Sequence, residues 1–224
     1  MYKYLDIPGW FNMHEAYANI MKYVDDGQTV IEIGCFAGRS TRFLLDGLDY
    51  CGKHNVKVHV IDTFKGSGME HANVDCSTLY EDFMRNLDDY IQDERVIVHQ
   101  SRSDNPDLIK SFEDKSVAAV IIDGAHTMDV VQDDVENWWP KVMEGGIMVG
   151  DDVRLDSVKE GCYRGLQKFG IETVTQVYGE EGWFAKINHP DSDKLGQQLK
   201  LIPGKNSMLL NGYMLTNTTL VGTH

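Results

Sequence analysis

A chain of 224 residues, 42% of them hydrophobic, is long enough for one α/β domain with its own core, and its balanced composition excludes the disordered and fibrous classes. Its net charge of −14, from 35 acidic residues against 21 scattered basic ones, argues against nucleic acid as the partner, because phosphate backbones demand a basic footprint. No apolar run approaches the roughly 20 residues of a membrane span, the opening MYKYLDIPGWF lacks a signal-peptide pattern, and Cys35, Cys51, Cys76 and Cys162 show neither disulfide nor metal spacing, so a cytoplasmic protein with free thiols is expected.

Residues 1–28 read as an N-terminal helical segment. Ala16, Tyr17, Ile20, Met21 and Val24 recur at helical spacing between Met13 and Val24, and Asp25-Asp26-Gly27 ends the run. Residues 29–187 form the main domain. Five short apolar runs there, each followed by a helical stretch, predict parallel strands: Thr29–Ile33, Lys57–Ile61, Arg95–His99, Val117–Ile122 and Gly146–Val149. The helices between and after them are expected at Ser40–Leu48, Ser77–Tyr90, Asp107–Phe112, Thr127–Trp139 and Ser157–Phe169. Glu172–Tyr178 and Gly182–Ile187 lie a tight turn apart at Gly179–Glu181, which allows only an antiparallel hairpin. Residues 188–224, polar with scattered Leu and Met, form a C-terminal extension; a strand pair, a dimer arm and a tail all suit it.

Ligands of such sheets sit beyond the carboxyl ends of the strands, near the point where strand order reverses. The first end carries Gly34 and Gly38, which let the backbone turn tightly beside a ligand, and Ser40 at the start of a helix whose N–H groups favour an anion. Asp62 and Thr63 close the second strand; Asp62 either accepts the two hydroxyls of a ribose or caps the next turn. Ser101 and Arg102 follow the third strand, where a purine edge would lie. Asp123 ends the fourth strand and Asp151-Asp152 the fifth. Three carboxylates gathered there repel one another unless protons or a hard cation, Mg²⁺ or Mn²⁺, compensate. A metal there would lower the pKa of a substrate hydroxyl. His126, three residues past Asp123, serves either as a general base or as a capping residue. The loop Thr63–Asp75, with Gly66, Gly68 and His71, has the composition of a lid. Trp138-Trp139 reads as core, Asp129, Asp133, Asp134 and Glu136 as a solvated helix face, and Trp10 and Phe11 as packing or as a roof over the site.

Glu32-x-Gly34-x-Phe36-x-Gly38-x-Ser40, Asp123 and Asp151-Asp152 resemble the first motif and the metal site of the class I catechol and caffeoyl-CoA O-methyltransferases. The stretch from Ile122 through Gly145-Gly146 to Asp152 is also similar to bacterial O-methyltransferases of the macrocin and sugar type. The resemblance implies a Rossmann-like methyltransferase fold, a mostly parallel sheet with a C-terminal antiparallel hairpin and helices on both faces. It implies S-adenosyl-L-methionine as cofactor. Glu32, Gly34, Phe36, Gly38 and Ser40 would surround the methionine portion, Asp62 and Thr63 the ribose, and Ser101 and Arg102 the adenine, with Asp123 also bordering the cofactor. Asp123, Asp151 and Asp152 would bind the metal, and His126 stands where catechol-type enzymes carry a lysine base. The expected activity is metal-assisted methylation of a hydroxyl on a sugar or other small natural product, by a protein that engages neither nucleic acid nor membrane and is compatible with homo-oligomer formation. Two other readings are a nicotinamide-dependent oxidoreductase, disfavoured by Phe36 where a dinucleotide fingerprint needs glycine, and an inactive cofactor-binding or assembly subunit.

Overall fold

The computed structural model describes residues 3–67, 73–171, 173–177, 182–186, 196–200, 208–210, 213–216 and 219–221. Helix α1 (His14–Tyr23) precedes strand β1 (Thr29–Ile33), helix α2 (Arg39–Tyr50) and strand β2 (Lys57–Asp62). Helices α3 (Leu79–Asn86) and α4 (Asp88–Gln92) lead to β3 (Val96–Gln100), α5 (Pro106–Ser111) and β4 (Val117–Ile122). Helix α6 (Met128–Trp138), β5 (Val142–Gly150), α7 (Asp156–Gln167), β6 (Thr173–Val177) and β7 (Trp183–Lys186) complete the expected series.

Strands β1 to β5 pair in parallel in the order β3-β2-β1-β4-β5, so strand order reverses between β1 and β4. Strand β7 lies antiparallel against β5 and pairs with β6, as a hairpin requires. The turn Gly179–Glu181 lies outside the described residues. Within the region expected as an extension, β8 (Gly196–Lys200), β9 (Met208–Leu210), β10 (Tyr213–Thr216) and β11 (Thr219–Val221) continue the same sheet beyond β6 with antiparallel pairing.

Period-two alternation along the central strands feeds two cores. Val30, Val58, Val60, Ala119 and Ile121 face α1 to α4 with Leu44, Leu45, Leu48 and Phe83. Ile31, Ile61, Val120 and Ile122 face α5 to α7 with Val131, Val135, Trp138 and Leu166. Helix α7 lies tightly on α6 because Gly161 and Gly165 are small: a Cβ on either would come within 2.8 Å of Val131 or Val135. The expected single helix Ser77–Tyr90 is two helices, because the chain bends at Leu87 and buries that side chain under the loop after β1. Strand β5 starts four residues before its expected start at Gly146, and its pairing with β4 shifts register between Val142 and Ile147. Cys35 and Cys162 are buried, whereas Cys51 is exposed. Among the described residues no helix is long and apolar enough to cross a membrane.

Candidate functional site

The rim at the strand ends is stitched by backbone hydrogen bonds from each outgoing residue to the neighbouring strand. Gly34 N donates to Ile61 O at 3.0 Å, Ser101 N to Asp62 O at 3.0 Å, Asp123 N to Ile33 O at 2.8 Å and Asp151 N to Ile122 O at 3.1 Å. These bonds place the four expected loops side by side around one cavity of about 730 Å³. Phe36, Ser40, Asp62, Thr63, Ser101 and Arg102 line it, as do Gly34, Asp123, His126, Asp151 and Asp152.

Glu32 and Gly38 stand behind this wall and not in it. Glu32 is fully buried, and its two oxygens accept from Tyr17 Oη at 2.8 Å, Ser40 Oγ at 2.6 Å and Thr41 Oγ1 at 2.6 Å. Burial raises its pKa, and the three hydroxyl donors oppose that rise. Ser40 therefore reaches the cavity with its hydroxyl already spent on Glu32. The two glycines are required by protein packing. A Cβ on Gly34, at φ +80°, would lie 2.1 Å from the carbonyl oxygen of Asp123, and one on Gly38, at φ +88°, would strike Leu87 at 2.4 Å. The tight turn expected at both glycines is present, and Gly34 lines the cavity.

Asp62 shapes the loop from within. Its Oδ2 accepts from the backbone N–H of Cys35 at 2.9 Å and Phe36 at 3.1 Å, and its Oδ1 accepts from Phe64 N at 2.7 Å. The clamp holds Phe36 at φ +46°, a conformation non-glycine residues seldom adopt. The following helix, α2, starts at Gly38 without a side-chain cap, and Arg39 sits at its first turn, lining the cavity and donating to Gly9 O at 2.7 Å. An uncapped helix start beside an arginine favours an anionic group. Arg39 was missed from the sequence because a lone arginine after a glycine carries no motif of its own.

The opposite wall is acidic. His126 Nδ1 lies 3.2 Å from Asp152 Oδ2, and Nε2 lies 3.8 Å from Asp123 Oδ1. Burial pushes the Asp123 carboxyl up to about 7; Asp151 and Glu32 add repulsion, and His126 counteracts it. Asp152 adopts φ +54°, and its N–H donates to Asp151 Oδ1 at 2.7 Å. The three carboxylates thus share a wall, but among the described residues no group of three or more His, Cys, Asp or Glu side chains is arranged to hold a metal ion. In this arrangement Asp152 Oδ2 faces His126 and Asp151 Oδ1 accepts from the Asp152 N–H, so the metal set expected from the sequence is left as an expectation.

The N-terminal segment supplies a roof. Pro8, Gly9, Trp10 and Asn12 line the cavity, with the Trp10 ring 5.7 Å from Phe36 and 72% of Trp10 exposed. Phe11 instead packs against Phe43 and Tyr17, each at 5.0 Å between ring centres. From the expected lid, Gly66 and Ser67 reach the cavity; Gly68 and His71 lie outside the described residues. Asp134, read as part of a solvated face, is 1% exposed at the cavity floor. It shares the buried stripe of Val131, Val135 and Trp138, a spacing that could have marked it.

The model of a family described as a methyltransferase domain matches residues 31–153. No curated protein matches the chain by sequence. Among solved structures, the chain resembles the O-methyltransferase NovP at a TM-score of 0.59 and 20% identity, over 79% of each chain. It also resembles a candidate rRNA methylase from Clostridium thermocellum (TM-score 0.56, 16% identity, 82% of this chain and 99% of that one). A candidate caffeoyl-CoA O-methyltransferase from Staphylococcus aureus is similar as well (TM-score 0.54, 14% identity, 83% and 87%). At such identities these likenesses speak for the fold, and their differing acceptors show that the fold does not name one.

Proposed function

The chain belongs to this family of methyltransferase domains, with S-adenosylmethionine as the donor its fold accommodates, and from that premise we propose that it methylates a hydroxyl group of a sugar or other small natural product with the help of a divalent cation. The observation that carries the proposal is one cavity with two unlike walls. The loop after β1 and the end of β2 form one, and Asp123, His126, Asp151 and Asp152 form the other.

S-adenosylmethionine supplies a methyl group on a positively charged sulfur. The first turn of α2, with Arg39, suits the carboxylate of its methionine portion. Asp62, lining the cavity while clamping the loop, is assigned to the ribose, with Thr63 beside it, and Ser101 and Arg102 to the base. Asp123, whose backbone abuts Gly34 and which lines the cavity, is assigned to keep negative charge near the sulfonium. On the acceptor side, Asp152 orients the His126 ring through Nδ1, and the proton leaving the hydroxyl is held between Asp123 Oδ1 and His126 Nε2. Trp10 and Phe36 cover the reacting atoms from above. Holding donor and acceptor in line supplies much of the acceleration, up to about 7–11 kcal/mol in well-oriented systems.

The donor chemistry of Asp123, Asp151 and Asp152, carboxylate oxygens alone, fits a hard divalent cation, which would lower the pKa of the bound hydroxyl. No step above is routed through that ion, so its need is measured separately. The test is thermal melting with S-adenosylhomocysteine or NAD, each with and without Mg²⁺, followed by S-adenosylhomocysteine release from panels of sugars and phenols. Stabilisation by S-adenosylhomocysteine and turnover with a hydroxyl acceptor support the proposal. Stabilisation by NAD alone overturns it in favour of an oxidoreductase, and stabilisation by neither favours an assembly role. Full turnover in chelator removes the cation while leaving methyl transfer standing.

A further inference from the structure

Helix α6 carries a carboxyl that nothing in this mechanism uses. Asp134 is 1% exposed, and among the described residues neither of its oxygens has a hydrogen-bond partner meeting ordinary geometry. Such a group lowers stability where an apolar residue would raise it, so packing alone does not account for it. Its place does. One turn along the helix, Trp138 Nε1 donates to Ser103 O at 3.0 Å, so the same helix face already grips the loop after β3. On the other side, a Cβ built on Gly124 would lie 4.0 Å from Asp134 Oδ2. Asp134 therefore sits under the junction of Ser101–Ser103 with Gly124, the part of the cavity assigned above to the purine.

We propose that Asp134 is a positioning residue for the cofactor's base, setting where the Ser101–Ser103 loop lies against Gly124. The inference rests on the S-adenosylmethionine reading of the cavity. The charged and polar neighbours are few. The loop after β3 presents Ser103, Asp104 and Arg102, and the helix itself presents Asp133. The seam with α7 packs Gly161 and Gly165 against Val131 and Val135, and Lys168 at the end of α7 pairs with Glu136 on α6. Burial pushes the Asp134 carboxyl up to about 7, and Asp104 and Asp133 add to the rise, while Ser103 and Arg102 oppose it. Arg102 is held by Asp104 through two bonds of 2.9 and 2.6 Å. An ionised Asp134 competes for that guanidinium, and because Arg102 lines the cavity, the competition reshapes the base pocket.

The test is calorimetric titration of the full chain with S-adenosylhomocysteine between about pH 6 and pH 8.5, for wild type, Asp134→Asn and Asp134→Leu. Wild type is expected to lose about fivefold or more in affinity across that range. Asp134→Asn, which keeps the shape and cannot ionise, should hold the low-pH affinity throughout, and Asp134→Leu should bind about tenfold more weakly at every pH. A purely structural role would lower the melting point of both variants and leave the pH profile of binding intact. An Asn variant that tracks wild type with pH, a Leu variant as tight as wild type, or a flat wild-type profile overturns the proposal and spares the cofactor reading. Wild type that binds no S-adenosylhomocysteine at any pH overturns both.

Discussion

The two walls of the cavity are built on opposite principles. At the ends of β1 and β2 the carboxylates are met: Glu32 by three hydroxyls, Asp62 by three backbone N–H groups. At the ends of β4 and β5 charge is under-compensated. Burial pushes the Asp123 carboxyl up to about 7, Asp152 sits at φ +54°, and among the described residues neither oxygen of Asp134 has a hydrogen-bond partner of ordinary geometry. The first wall is held in shape by its own hydrogen bonds. The second leaves charge unmatched, the pattern of a site where stability has been traded for function.

The comparison breaks most visibly at its hinge. Gly34→Ala places a methyl group 2.1 Å from the Asp123 carbonyl oxygen at a positive φ, and should cost more than about 3 kcal/mol or abolish cooperative unfolding, measured by denaturant titration. On the acidic wall, His126→Ala should slow turnover by about 100- to 10,000-fold while the melting point holds; a large fall in melting point with little change in rate would reverse the assignment of the two walls.

A pH series sharpens the contrast. The Asp134 carboxyl stands near 7 in the folded chain and near 3.8 as its ordinary value, so between these pH values the folded form retains a proton that the unfolded chain has lost. Stability therefore falls as pH rises from about 4 to about 7, by at most about 4 kcal/mol from this group. Asp134→Asn should flatten that fall, matching wild type near pH 4 and exceeding it at pH 8 in denaturant midpoints. The smallest effect belongs to the first wall: Tyr17→Phe removes one of three donors to Glu32 and should cost about 1–2 kcal/mol, with cofactor affinity nearly unchanged.

Much of this frame is legible in the sequence, because alternation of short apolar runs with helical stretches is a periodic signal. Thr29–Ile33 and Val117–Ile122 form strands over those same residues. Tertiary contacts decide what periodicity cannot. Leu87 breaks a predicted helix to fill the space under Gly38, and the shift in β5 pairing depends on its neighbour. The cavity's membership was legible in residue types, since the acids after β4 and β5 all reach it. Their orientations were not, because sequence does not reveal that His126 draws Asp152 aside or that Ser40 and Thr41 turn inward to Glu32. Asp134 was misread by composition: three acids near it on the helix suggested solvent, whereas its position beside Val135 and one turn before Trp138 dictates burial.

The stitching of each strand end to its neighbour has a practical consequence. Ligand-facing residues stand at intervals set by the spacing between strands, about 4.8 Å, a property of the peptide backbone and indifferent to side-chain identity. Groups such as Trp10 and Leu155, which line the cavity and contribute to neither core, can therefore be exchanged one at a time to retune what the cavity admits, without re-engineering the scaffold that presents them.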